Sequence, residues 1–292
     1  MTGPVVVGID DFEHSEHLIT VAAREAEQRG SALWLAHAYH GFAPVTQGVP
    51  PDYTPEEIVR DLATSQLTAL VPEIRARHSG LHVETAVVTG PAAPALAVLA
   101  DTASLLVVGG RGRGGLAGQL LGSVALRTLA RAHCPVLVVR GVSEQATGRV
   151  MLGVDVDDPA TGPEVVGFAF EEAALRNAGL YAFHAWEDPS ILYTYGSQAF
   201  RAEQRTEALK RCHDALAEAL APWQKKYPEV SVTSEVLTGV PTKLLVESTQ
   251  LVDLVVIGAR ARHDGEDGMR VGAIAHTVLH HAACPVAVVP DR

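Results

Sequence analysis

The chain has 292 residues, 47% of them hydrophobic and 20% charged, which is enough to bury two cores of ordinary size. Its formal net charge of −11 opposes nucleic acid or an anionic membrane as the main partner, so any phosphate site must be local. Even the longest apolar stretches, such as Ala92 to Ala100, are interrupted by Pro94 or stopped by Asp101, far short of the ~20 residues a membrane span needs. Met1 to Pro4 run into a strand without the basic and apolar segments of a secretory leader, and the three cysteines form no C-x-x-C pair. Both features predict a reducing, cytoplasmic location.

Apolar runs predict strands near 4–10, 32–38, 82–88, 104–109 and 135–140. Between the first two, Ser15 is the predicted N-cap of a helix that buries Leu18, Ala22 and Ala26 and is closed by Gly30. Thr54-Pro55-Glu56-Glu57 combines an N-cap, a proline at the first helical position and a glutamate at the third, so a second helix should open there and end near His78. The fourth strand empties into a loop with seven glycines in the fourteen residues from Gly109 to Gly122, followed by an amphipathic segment, Val124 to Ala132. Glycines let backbone lie close to a ligand, and the helix starting near Gly122-Ser123 presents unpaired N–H groups and the positive end of its dipole to an anion. Ser123 can donate a hydroxyl to phosphate, and Arg111 and Arg113 add positive charge. The loop lacks the lysine and spacing of a P-loop, and it follows a late strand rather than the first, unlike the dinucleotide fingerprint.

The whole pattern then repeats. Val5 to Asp10 aligns with Val150 to Asp155, Ala36-His37-Ala38 with Phe183-His184-Ala185, Leu106 to Gly109 with Val255 to Gly258, and Ala132 to Val136 with Ala282 to Val286. Two copies of one domain, residues 1–142 and 149–292, are therefore predicted, each alternating strands with helices as a parallel sheet requires.

The spacing Gly109-x2-Gly112-x9-Gly122-Ser123, with Gly118-Gln119-Leu120-Leu121 before it closes, Val124 after it and the later Pro135-Val136, resembles the nucleotide signature of the universal stress protein family. That resemblance implies an α/β fold: two tandem open, doubly wound, five-stranded parallel sheets of strand order 3-2-1-4-5 with helices on both faces. It also implies ATP, with Mg2+ as companion cation, held by residues matching Asp10, Ala38 and Gly109 to Val124. In such a sheet the crevice lies where strands one and four part at their carboxyl ends. Gly8-Ile9-Asp10 ends the first strand, so the Asp10 carboxylate should face the crevice and accept from a ribose hydroxyl or an adenine amino group; the other role open to it is capping the next helix. Backbone near Ala38 suits an adenine edge. Family members often read G-V-D-G-S at this turn, whereas Asp10 is followed here by Asp11 and Phe12. The family also pairs through the strand after Cys-Pro-Val, which implies pseudo-two-fold packing of the copies and a homodimer.

In the second copy Asp155, Gly258 and Gly272 persist, but Ala261 and Ala273 replace a glycine and the serine, and Asp264, Glu266 and Asp267 enter the loop. Its site is expected to be weak or empty. The thirteen histidines are scattered, although His276 and His280 share a helical face, and no G-x-S-x-G elbow or catalytic base is visible. The reading is an ATP-binding, nucleotide-responsive stress or growth regulator with an unidentified protein partner. The alternatives are a slow nucleotide hydrolase or phosphotransferase, and a nucleotide-free interaction scaffold.

Overall fold

A computed structural model of the protein describes residues 3–39, 54–110, 121–140, 146–156, 161–187, 198–261 and 269–291. They fall into two compact units, one running to Val139 and the other comprising Arg140 to Ala261 and the chain from Arg270.

The first unit contains β1 (Val5–Gly8), α1 (Glu16–Gln28), β2 (Leu33–Tyr39), α2 (Pro55–Arg77), β3 (Val83–Thr89), α3 (Ala92–Ala100), β4 (Leu105–Gly109), α4 (Ser123–Leu129) and β5 (Val136–Val139). All its ladders are parallel, β1 with β2 and β4, β2 with β3, and β4 with β5. The order is 3-2-1-4-5, as the resemblance implied. The second unit repeats the plan with β6 (Arg149–Val154), α5 (Pro163–Leu175), β7 (Gly179–Trp186), α6 (Gln198–Lys226), β8 (Val232–Thr238), α7 (Pro241–Ser248), β9 (Leu254–Ala261), β10 (Met269–Arg270), α8 (Ala273–His281) and β11 (Val286–Asp291). There β6 lies between β7 and β9, with β8 outside β7 and β11 outside β9.

Covering helices explain the composition of the central strands. Val5 to Val7 and Leu105 to Val108 are buried without alternation, as expected for parallel strands with both faces covered. The edge strand β3 instead exposes Glu84 and Thr85.

The helix signals translate unevenly. At α2, the Thr54 hydroxyl accepts from the Glu57 N–H at 3.2 Å while the Glu57 carboxylate accepts from the Thr54 N–H at 2.8 Å, so the capping box forms. Gly30 closes α1 at φ 60°, with its N–H on the Glu27 carbonyl and the Ser31 N–H on that of Ala26. Ser15 occupies the N-cap of α1 but makes no capping bond; its hydroxyl donates instead to the Phe12 carbonyl at 3.3 Å. The buried stripe of α1 is centred on Ile19, Ala22, Ala23 and Ala26, and Leu18 is only half-buried. The helix turns one position further than the apolar spacing suggested, which buries Glu25 as well.

Glu25 is 2% exposed and pairs with Arg29 one turn on, and Glu172, 1% exposed, pairs with Arg176 at the matching place on α5. Burial of a carboxylate requires such a partner.

The start of each central strand is held differently. In both units a main-chain bond joins the strands, from the Ser104 N–H to the Pro4 carbonyl at 2.9 Å and from the Asp253 N–H to the Arg149 carbonyl at 2.8 Å. Pro4 has no N–H to offer, and the Ser104 hydroxyl donates to its carbonyl. In the second unit the Asp253 carboxylate collects three backbone N–H groups, from Thr147 and Gly148 at 2.7 Å and from Arg149 at 3.3 Å. Charge-assisted bonds of this kind are stronger than neutral ones, although water can reach these exposed donors once the acceptor is removed. Asp253→Ala should therefore lower the unfolding free energy of the second unit by about 1 kcal/mol, and Asp253→Asn by less. An unchanged urea midpoint in the alanine variant would show that the clamp is dispensable.

Candidate functional site

Register places the candidate residues of the first unit. Gly8 pairs with Ala36 on one side and Val108 on the other, so the residues just beyond, Ile9-Asp10, His37-Ala38 and Gly109-Gly110, gather at one end of the sheet. A Cβ on Gly8 would stand 2.8 Å from the Leu96 Cδ1 of α3, so this end of β1 is packed as tightly as glycine allows. Ile9 is buried and its N–H bonds to the Ala36 carbonyl at 2.8 Å; Asp10 is exposed, and Ala38 and Gly109 are half-buried.

The turn after β1 is fixed without Asp10. Asp11 accepts from the backbone N–H groups of Glu13 and His14 at 3.0 and 3.3 Å and meets the His14 ring at 3.0 Å, so it holds the turn that leads to α1, whose N-cap is Ser15. Asp10 makes no hydrogen bond with the described residues, which leaves its carboxylate for the crevice. Phe12 packs against the His37 ring, centroids 4.8 Å apart. The Nδ1 of His37 donates to the Ile9 carbonyl at 2.7 Å, and that of His184 donates to the Val154 carbonyl at 2.9 Å. The histidine recurring in both copies thus pins the main chain immediately before the aspartate in each unit.

On the other side of the crevice, the Gly110 N–H bonds to the Val139 carbonyl at 2.9 Å and the Gly122 N–H to the Gly110 carbonyl at 3.0 Å, which returns the chain to the strand end it left. Gly122 then caps α4 at φ −64°, ψ 144°, a backbone any residue adopts, so glycine is not required there for its conformational freedom. Ser123 and Val124 are exposed at the first turn, whose leading N–H groups have no helical acceptors. Leu121 is packed into the core at 7% exposure and can offer the site only its main chain. Arg111, Gly112, Gly118, Gln119 and Leu120 lie outside the described residues, as do Arg113 and the acidic Asp264, Glu266 and Asp267.

Two candidates are placed elsewhere. Pro135 and Val136 are buried at the amino end of β5, where Val136 pairs with Leu106 and the Pro135 carbonyl accepts from the Leu106 N–H at 3.0 Å. Val139, not Val136, is level with Gly109, so this pair sits three ladder steps, roughly 10 Å, from the crevice. Their place is the start of β5.

The second unit keeps the frame. Gly153 pairs with Phe183, and its Cβ would lie 3.2 Å from Ile257. The Asp155 N–H donates to the Thr161 hydroxyl at 3.1 Å, and Gly272 caps α8 at φ −70°, ψ 168°, close to the geometry of Gly122. A cavity of about 400 Å³ opens at these strand ends. Val154, Phe183, Leu245, Ile257 and Ile274 give it an apolar lining; Asp155, Thr161, His184, Arg260 and Arg270 give it polar groups, and Gly258 and Gly272 border it. The small side chain of Ala273, where the first copy has serine, also lines it.

Other chemistry is confined. The His276 and His280 rings stand 4.4 Å apart, but among the described residues no three His, Cys, Asp or Glu side chains converge on a metal position. All three cysteines are free and buried. Burial, with the nearby Asp253 carboxylate adding to it, pushes the Cys284 thiol up to about 12. Iodoacetamide at mildly alkaline pH should therefore leave Cys134, Cys212 and Cys284 unmodified in the native protein and alkylate all three in guanidinium. Alkylation of native Cys284 at the rate of a free thiol would contradict its burial.

Comparison with known proteins agrees with this architecture. The Universal stress protein family matches residues 1–140 and again 147–290. Universal stress protein Rv2623 from Mycobacterium tuberculosis is 33% identical over 295 residues, spanning 97% of this chain and 95% of its own. Universal stress protein Rv2005c from the same organism is 31% identical over 299 residues, spanning 97% and 96%. Among solved structures, a universal stress protein from Archaeoglobus fulgidus superposes with a TM-score of 0.64 at 15% identity, covering 99% of this chain and 96% of that one, a likeness of fold.

Proposed function

The chain belongs to the universal stress protein family, and from that premise we propose that its first unit binds an adenine nucleotide, ATP with Mg2+, as the input of a regulator. The observation that carries this reading is the convergence of three elements on one crevice: the exposed Asp10 beyond β1, the half-buried Ala38 on β2, and the leading N–H groups of α4 beside the Gly109-Gly110 exit of β4. A purine edge lies against main chain near Ala38, the ribose hydroxyls donate to Asp10, and the phosphates meet the Ser123 and Val124 N–H groups and the Ser123 hydroxyl. These groups bind and orient. None of them is placed as a nucleophile or base, so their role is binding rather than turnover. Two further parts of the proposal are a cytoplasmic location, for which it is relevant that no helix among the described residues is long and apolar enough to cross a membrane, and a homodimeric state. Nucleotide occupancy would change which surface is presented to a protein partner by biasing a conformational equilibrium.

Because Gly122 has an unstrained φ, Gly122→Ala introduces a methyl group beside the phosphates without distorting the backbone. Gly122→Ala and Ser123→Ala should each weaken ATP binding several-fold, about 1 kcal/mol as for the loss of one hydrogen bond, whereas Ala273→Ser changes it little. Calorimetric titration reads this directly. Unchanged affinity in both first-unit variants would remove the site.

A further inference from the structure

The first two helices of each unit meet differently in the two copies. Glu172 and Arg176 of α5 answer to Glu25 and Arg29 of α1, and the Tyr227 N–H closes onto the Trp223 carbonyl at 2.8 Å as the His78 N–H closes onto that of Ile74 at 2.9 Å. These pairs align the helices. Gly167 and Phe170 stand where the first copy has Thr20 and Ala23, and Trp223, Lys226 and Tyr227 stand where it has Ile74, Arg77 and His78. In the second unit the Trp223 indole lies so close to the α5 backbone that a Cβ on Gly167 would be 2.8 Å from its Cζ2 and Cζ3. Tyr227 stacks with both Trp223 and Phe170, at centroid distances of 6.4 and 6.0 Å. The Lys226 ammonium stands 4.9 Å from the Trp223 ring centroid. That helix pair is closed by an aromatic cluster under a cation.

In the first unit Ala23, Ile74 and His78 replace the three aromatic residues, and a groove of about 170 Å³ is left between α1 and α2. Ile19, Ala23 and Ile74 are buried along it. Arg77 bridges the two helices beside it, its guanidinium donating to Glu16 of α1 at 2.9 Å and to Glu73 of α2 at 2.8 Å. A cation is thus held at the groove in the place where Lys226 faces the indole. Apolar cavities of about 150 Å³ are large enough to take a benzene-sized molecule.

We propose that this groove is a binding site for a small, uncharged, planar aromatic molecule of indole size, which takes the place that Trp223 fills in the second unit. Its ring lies against Ile19 and Ile74, with the Arg77 guanidinium toward its π-face. The apolar walls disfavour a charged ligand. The site lies between helices and is independent of the nucleotide reading of the crevice.

The test uses the full chain, isotope-labelled at the isoleucine δ1 methyl groups, and free indole. Saturable shifts of the Ile19 and Ile74 methyl resonances along one curve are expected, with Ile257 and Ile274 of the second unit unmoved. Thr20→Gly combined with Ile74→Trp gives the first unit the filling of the second, and should abolish the Ile19 response while the urea midpoint holds or rises. Arg77→Gln changes an exposed side chain and leaves the apolar walls intact; it should weaken indole about threefold, as for one exposed cation–π contact, and Arg77→Lys by less. Trp223→Ala should open the matching space and bind a second indole per chain. Absence of saturable shifts at Ile19 and Ile74 overturns the proposal, as does indole binding that survives in the folded double variant or is unchanged in Arg77→Gln. Shifts of the same two methyl groups on raising the protein concentration without indole would give the groove to a second copy of the chain, and overturn it too.

Discussion

A single strand bonded on both sides by parallel neighbours sets the rest of each unit. Val5 to Gly8 are tied to Leu33 to Ala36 on one flank and to Leu105 to Val108 on the other, so three carboxyl ends finish level. Parallel strands need crossovers, and right-handed crossovers starting from one central strand carry the chain to opposite faces of the sheet. The exits of β1 and β4 therefore diverge and leave a gap between them. The crevice is a consequence of winding before it is a matter of any particular residue. Gly8, with Leu96 pressed to within 2.8 Å of where its Cβ would be, shows how little space is lost just beneath it.

Duplication of this frame lets invariant and variable parts be told apart within one chain. The histidine on the carbonyl before the aspartate, the buried glutamate and arginine on the first helix, the main-chain bond at the start of the fourth strand and the extended glycine before the last helix occur in both copies. These hold the strand ends in place. What differs lies around the crevice: serine against alanine at the first helical position, and Arg270 bordering the second unit's cavity where the first copy has Leu120. A frame held by recurrent contacts tolerates change at its loops, which is where ligand chemistry is set.

Much of this was readable in the residues because the causes are local. The apolar runs became strands within a residue or two, and the Thr54 to Glu57 capping box formed because all of its partners lie within one turn. Repeats, the glycine-rich exit of β4 and the strand order implied by family resemblance placed the crevice. Contacts between residues distant in sequence were not readable. Nothing near Asp253 announces that its carboxylate will collect N–H groups about a hundred positions earlier, nor that His37 will meet the Ile9 carbonyl. The stripe of α1 is centred on Ile19 rather than Leu18 and takes in Glu25, a charged residue that hydrophobic spacing assigns to the surface. Pro135 and Val136 belong to the signature by proximity in sequence, yet a strand that starts at the far end of the sheet carries them away from the crevice.

The central claim is that main-chain N–H groups at the start of α4, beside the end of β1, hold the phosphates of a nucleotide. Amide chemical shifts followed through an ATP titration of the isotope-labelled protein test it most directly. The account predicts that the largest shifts fall on the Ser123 and Val124 amides, with Asp10 and Ala38 moving along the same binding curve and Ala273 barely moving. Saturation with ATP that leaves the Ser123 and Val124 amides where they were, or that moves only resonances of the second unit, would contradict it.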